Sequence, residues 1–262
     1  MWAVAAEQCK GKMMKLKYIT CSDPREDVSV NDMMRLMRYA PQVEIGIQAH
    51  PSAMSNGMPR NAWFKHLMTL VSNIDMPMNV AVHVNYQWCD MLCGGGMPDE
   101  LDKWFKMTRY GTQTPAIRRW QLNIGDGTKN WDANAVAKLI AEHPQNEFIL
   151  PYNAGVAQKI EQLNKTGAQF SLLYDSSYGY GITPEKWDAP VYDTHPMGYA
   201  GGLSPENVAT QLAKIAQQVP TDYTTWIDAE GRLMRPNTRQ FDVARAISYV
   251  ENALCWTENK TR

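Results

Sequence analysis

The sequence predicts an α/β fold, a (β/α)8 barrel built as a single domain, from three observations. Short runs rich in β-forming residues alternate with helical patterns along almost the whole chain, the strand runs number eight, and no Gly-, Ser- or Pro-rich linker divides them. Strands separated by helices pair in parallel, because a parallel neighbour is reached only through a crossover, and eight of them close a barrel. The length of 262 residues agrees, since α/β barrels run to roughly 250 residues as one domain. An open doubly wound sheet is the competitor. It ranks lower because no G-x-G-x-x-G follows the first strand.

The strand runs are Lys15–Thr20, Val43–Ala49, Asn79–Asn85, Arg118–Asn123, Glu147–Pro151, Phe170–Tyr174, part of Val191–Tyr199, and Thr224–Asp228. Between them, apolar residues at three- and four-residue spacing predict helices. These cover Val30–Tyr39 (with Ser29 or Asn31 as cap), Ala62–Asn73, Leu101–Tyr110, Ala133–His143, Val156–Lys165, Pro205–Gln218 and Phe241–Leu254. The stretch Gln87–Pro115 contains Gly94-Gly95-Gly96 and one of these helices, and is expected to be an enlarged rim loop. The barrel is expected to span 14–256, with 1–13 as an extension and 257–262 as a tail.

Composition narrows the function classes. The net charge is −1, with no block of like charges, so neither nucleic acid nor a membrane surface is an expected partner; both need a concentrated basic face. No run reaches the roughly 18 apolar residues of a membrane helix. The N-terminal apolar run lacks a basic segment before it and reads poorly as a signal peptide. The cysteines number five and are irregularly spaced, as expected of reduced thiols in a cytoplasmic protein. Cys89 and Cys93, with Asp90 and His83, match no standard zinc spacing, so no metal is expected.

Polar residues at the C-terminal ends of barrel strands are the ones to examine for function. Here they are Thr20-Cys21-Ser22-Asp23, Gln48-Ala49-His50, His83 with Asn85, Gln121 with Asn123, Tyr152-Asn153, Asp175, Gly201-Gly202 and Asp228-Ala229-Glu230-Gly231. One such residue would be an ordinary cap; a set drawn from all eight strands predicts a lined polar pocket. In Gly198–Val208, two glycines allow a backbone to approach a ligand closely. Ser204 and Pro205 can open the next helix, whose positive end suits an anion. After the seventh strand of a barrel, that favours phosphate, with Gly231 opposite.

Three C-terminal segments resemble the last three strands of the phosphoribosylanthranilate isomerase family. They are Leu172-Leu173-Tyr174-Asp175 with its loop to Gly179 and Gly181, Gly201-Gly202-Leu203-Ser204-Pro205-Glu206-Asn207-Val208, and Asp228-Ala229-Glu230-Gly231. Trp120-Gln121-Leu122 resembles the family's fourth strand, and Ile19-Thr20 with Pro24-Arg25-Glu26-Asp27 its first. The resemblance implies a TIM barrel acting in tryptophan biosynthesis without a cofactor, on a small phosphorylated substrate. Its reaction is an Amadori-type aldose–ketose isomerisation: an acid protonates the ring oxygen and a base removes the C2 proton. It implies Asp175 as the acid, and Gln121, Asn123, Gly179, Gly181, Gly201, Gly202, Asp228, Glu230 and Gly231 as substrate contacts. The family's base is a first-strand cysteine. Alignment on the flanking residues puts Lys17 or Thr20 there, leaving the adjacent Cys21 as the expected base and Asp23 in reserve. The family's histidine after strand 4 is Asn123 here, and its Ser-Gly at strand 8 is Glu230-Gly231. Two other readings stay open: a lyase or aldolase using Lys17 as a Schiff-base amine, and a binding protein without catalysis.

Overall fold

A computed structural model describes residues 14–74, 78–125 and 127–257. The extension 1–13 and nearly all of the tail 257–262 lie outside the described residues. Eight parallel strands form a closed barrel in sequential order: β1 Lys15–Ser22, β2 Val43–Ala49, β3 Asn79–Val84, β4 Arg119–Leu122, β5 Glu147–Tyr152, β6 Ser171–Tyr174, β7 Met197–Ala200 and β8 Thr224–Ala229. β1 closes the ring on β8, with Thr20 opposite Asp228 and Cys21 opposite Ala229.

The helices are α1 Val30–Met37, α2 Pro51–Met54, α3 Pro59–Asn73, α4 Tyr86–Cys93, α5 Asp99–Phe105, α6 Ala133–Glu142, α7 Ala157–Asn164, α8 Val208–Ile215 and α9 Val243–Ala253. Ser29 caps α1 through its hydroxyl, and Asp132 and Asp242 cap α6 and α9; each side-chain oxygen accepts a backbone N–H that the first helical turn leaves open.

Three expectations are corrected. The seventh strand is confined to Met197–Ala200, and the preceding 175–196 segment is a long loop without regular structure. The Gln87–Pro115 stretch, expected to hold one helix, holds most of α4, all of α5 and an isolated antiparallel bridge, Thr108 to Pro115. The helix expected from Pro205 becomes regular only at Val208. Ser204 does not cap it; instead Asn207 Oδ1 accepts the Ser204 N–H at 2.8 Å, holding residues 204–207 in a turn.

Side chains alternate across each strand. Ile19, Cys21, Ile45, Ile47, Val82, Trp120, Leu150, Leu172 and Ile227 pack outward against the helices in one continuous core. The inward residues form a different stack. Towards the strands' N-terminal ends, Arg119 donates to Glu44 Oε1 at 2.6 Å and to Glu147 Oε2 at 3.1 Å. Its guanidinium lies 4.3 Å from the Tyr18 ring centre and 4.5 Å from that of Trp226. Ile149, Leu173 and Trp226 make an apolar plug. Polar groups fill the other end.

Candidate functional site

Within the C-terminal mouth, Ser22, Gly46, His83 and Asp228 face one another. Ser22 Oγ donates to Asp228 Oδ1 at 2.6 Å, and His83 Nε2 lies 3.8 Å from Asp228 Oδ2. Gly46 makes this meeting possible: a Cβ there would run into the Ser22 hydroxyl and lie 2.8 Å from His83 Cε1. Burial, with Arg119 behind it, pulls the His83 pKa down to about 3, so the ring is neutral. Burial pushes Asp228 up to about 7; the Ser22 hydroxyl and Arg119 oppose the change, and the like charge of Asp175 adds to it. Asp228 is thus a buried carboxyl that exchanges a proton near neutral pH, the property a general acid or base needs.

Across the mouth, Asp175 accepts from the Ser177 N–H at 3.0 Å, the Ser177 hydroxyl at 2.7 Å and the Gly179 N–H at 2.8 Å. Gly181 N–H in turn donates to Ser177 Oγ at 3.1 Å. Asp175 therefore organises the start of the 175–196 loop, and its charge acts on Asp228. The N–H groups of Gly179 and Gly181, expected to contact substrate, are bound within that loop.

Gly201 and Gly202, the expected phosphate turn, meet the same loop. A Cβ on Gly202, whose φ is +62°, would collide with Thr183 and come within 2.8 Å of Gly181 O. Asn207 Nδ2 and Thr183 Oγ1 both donate to Gly202 O, at 2.9 and 3.0 Å. Open space instead faces Gly179, Gly181 and Gly231. A Gly202→Val substitution should therefore dislodge the loop, costing about 1–3 kcal/mol as an overpacked site and weakening any phosphate bound there. Thermal melting and phosphate titration check this; unchanged phosphate affinity would place the site elsewhere.

The expected bases are corrected. Cys21 points outward into the layer between strands and helices, fully buried and near Tyr249. Burial, then Asp228 and Glu44, pushes its thiol far above the usual range, so no thiolate faces the mouth. Asp23, at φ +61°, is clamped by Arg25 at 2.5 Å and Arg60 at 3.4 Å. Those contacts engage both of its oxygens as a rim anchor. Lys17 lies near the N-terminal end of β1, half exposed and 3.9 Å from Glu147, which removes the support for a Schiff base at the mouth.

Glu230 is present at the mouth, where Gln48 Nε2 donates to its Oε2 at 2.8 Å. Crowding by protein, then Asp23 and Asp228, lifts its pKa to about 7. It keeps more contact with solvent than Asp228 does, and that water screens the effect. Gln121 and Asn123, at the end of β4, are joined to each other at 2.7 Å and reach Glu230 only through Asn85 and Gln48. His83 is visible in sequence only as one polar strand end among many. Its partnership with Asp228 follows from inward register, His83 lying level with both Gln48 and Gln121. Backbone strain is found here too: Asp23 and Tyr178, at φ +61° and +53°, lie in loops leaving the strands' C-terminal ends, and Tyr86, at +52°, opens α4 after β3, as strain at functional sites often does.

Among the described residues no group of three or more His, Cys, Asp or Glu is arranged to hold a metal ion, and no helix is long and apolar enough to cross a membrane. Cys89 and Cys93 are free thiols 3.9 Å apart.

No protein-family model matches the chain, and no curated protein does. Among solved structures, it is similar to monomers generated from the dimeric phosphoribosylanthranilate isomerase of Thermotoga maritima. The TM-score is 0.52 at 14% identity, covering 92% of this chain and 98% of that one. At that identity the likeness establishes the barrel fold.

Proposed function

We propose that this barrel is an aldose–ketose isomerase of the Amadori type, acting on a phosphorylated sugar derivative. Asp228, which holds a proton close to neutral pH, gives it to the ring oxygen, and Asp175, whose oxygens face three donors, takes the proton from C2, the reverse of the role the resemblance implies for Asp175. Phosphate binds along the Gly201-Gly202 turn and the open side of Gly231. The observation that carries the reading is the pair of carboxyls in one mouth with unlike surroundings. Asp228 is buried and poised near neutrality beside a neutral histidine, whereas Asp175 is oriented by three donors of its own loop. Groups in such contrasting environments can divide the acid and base roles. The resemblance of the last three strands to phosphoribosylanthranilate isomerase supports the reaction class.

The test is direct. The protein is incubated in deuterated water with phosphoribosylanthranilate and with simple aldose phosphates, and NMR follows ketose formation and exchange at C2. Turnover, or exchange alone, is expected with one of them. Asp175→Asn should lower turnover at least a hundredfold, the usual scale for a lost acid or base, while leaving ligand affinity within about threefold. Neither ketose nor exchange with any of these compounds would end the isomerase reading.

A further inference from the structure

A continuous row of side-chain amides runs along the mouth from β2 to β4, with Glu230, just past β8, at one end. Gln48 donates to Glu230, Asn85 Nδ2 donates to Gln48 Oε1 at 2.6 Å, Asn123 Nδ2 to Asn85 Oδ1 at 2.8 Å, and Gln121 Nε2 to Asn123 Oδ1 at 2.7 Å. Both ends of the polarity are set by chemistry. Gln48 gives its oxygen to the Asn85 N–H, so its nitrogen turns to Glu230 whether or not that carboxyl is ionised. Asn85 Nδ2 also donates to the backbone carbonyl of His83 at 2.8 Å, which can only accept, so its oxygen must face Asn123. Every amide between these points is forced into one orientation.

What the row leaves unused defines a ligand. Asn85 spends both N–H groups inside the protein. Gln48, Asn123 and Gln121 each keep one N–H, and their oxygens keep lone pairs. Neighbouring donors and acceptors at one level suit hydroxyl groups, which give and receive at the same atom. The surroundings disfavour a second anion: Glu230, Asp228 and Asp23 stand close by, and the rim cations Arg25 and Arg60 are engaged by Asp23 and Glu26.

We propose that the Gln48–Asn85–Asn123–Gln121 row is a binding subsite for an uncharged, polyhydroxylated carbon chain, the sugar part of a phosphorylated sugar. The substrate then carries no carboxylate on this side of the mouth. The assignment rests on the reading above only for where the phosphate lies.

The test uses ribose 5-phosphate and inorganic phosphate with the full chain, neither of which needs to be turned over. Ribose 5-phosphate should shift the side-chain amide NMR signals of Gln48, Asn123 and Gln121, and inorganic phosphate should not. Asn123→Ala should weaken ribose 5-phosphate about tenfold, the scale of one lost hydrogen bond, and leave inorganic phosphate unchanged; Asn123→Ser serves if the alanine variant does not fold. Unshifted amide signals with ribose 5-phosphate, or equal weakening of both ligands, would overturn the assignment. If the amides respond to ribose 5-phosphate but no compound is isomerised, the isomerase reading fails and the subsite stands.

Discussion

Arg119→Met should lower stability by about 3–5 kcal/mol, the usual result of removing one partner from a buried ion pair. Arg119 is 2% exposed and lies in the barrel's interior. It holds Glu44, which is fully buried, and Glu147, and it is stacked between Tyr18 and Trp226. Glu44 already carries one oxygen without a partner, while Thr20 shares the other with Arg119. Its burial raises its pKa, and the guanidinium is the largest opposing influence. With Met at position 119, Glu44 must either take up a proton or stay charged in an apolar interior; both cost free energy. For a chain of this size the loss corresponds to a melting temperature lower by roughly 10 °C. The double variant Arg119→Met with Glu44→Leu should recover most of the loss, because a well-packed apolar replacement of an ion pair is often neutral. A single variant that melts within about 2 °C of the parent would mean that water or Lys17 compensates Glu44, and that the cluster contributes little.

That cluster marks where sequence reading stops. The strands are legible because outward residues such as Ile45, Ile47, Val82, Leu150 and Leu172 form short apolar runs between turn residues, and the helical layer requires them. Strand 7 is harder to place because Val191 and Tyr192 look like strand, yet they belong to a loop that reaches back over Gly201 and Gly202. The interior is less legible. Glu44, Arg119 and Glu147 come from three separate strands, and nothing local to any of them announces the others. Cys21 draws attention through its nearness in sequence to the position where the resembling family has its cysteine. The two-residue period of a strand places Thr20 and Ser22 inward and Cys21 outward, a signal present in the sequence. The Asp228–His83 pairing cannot be read the same way, since it needs the barrel closed and Gly46 vacant of a side chain.

Asp228→Asn should reduce turnover by a hundredfold to ten-thousandfold, the range for a lost general acid, and at the same time make the protein more stable. The two effects have one cause. Asp228 is 8% exposed, and its pKa has moved from 3.8 to about 7 chiefly through burial. Between those values the folded protein holds a proton that the unfolded chain has released, so the fold weakens as pH rises through that window. Every tenfold change in proton affinity is worth about 1.4 kcal/mol; the raised pKa thus costs the fold on the order of 4 kcal/mol at pH 8 and less than half of that at pH 5, where the buried carboxyl keeps its proton. Asparagine keeps an oxygen for the Ser22 hydroxyl and offers an N–H towards the neutral His83 ring, without the charge. The variant should therefore melt higher than the parent at pH 8, by up to roughly 10 °C, with a smaller gain at pH 5. Melting curves at the two pH values, beside the turnover assay, check both halves. A variant that is less stable at pH 8, or whose gain is the same at both, would show that Asp228 is held ionised by its neighbours and is not poised for proton transfer.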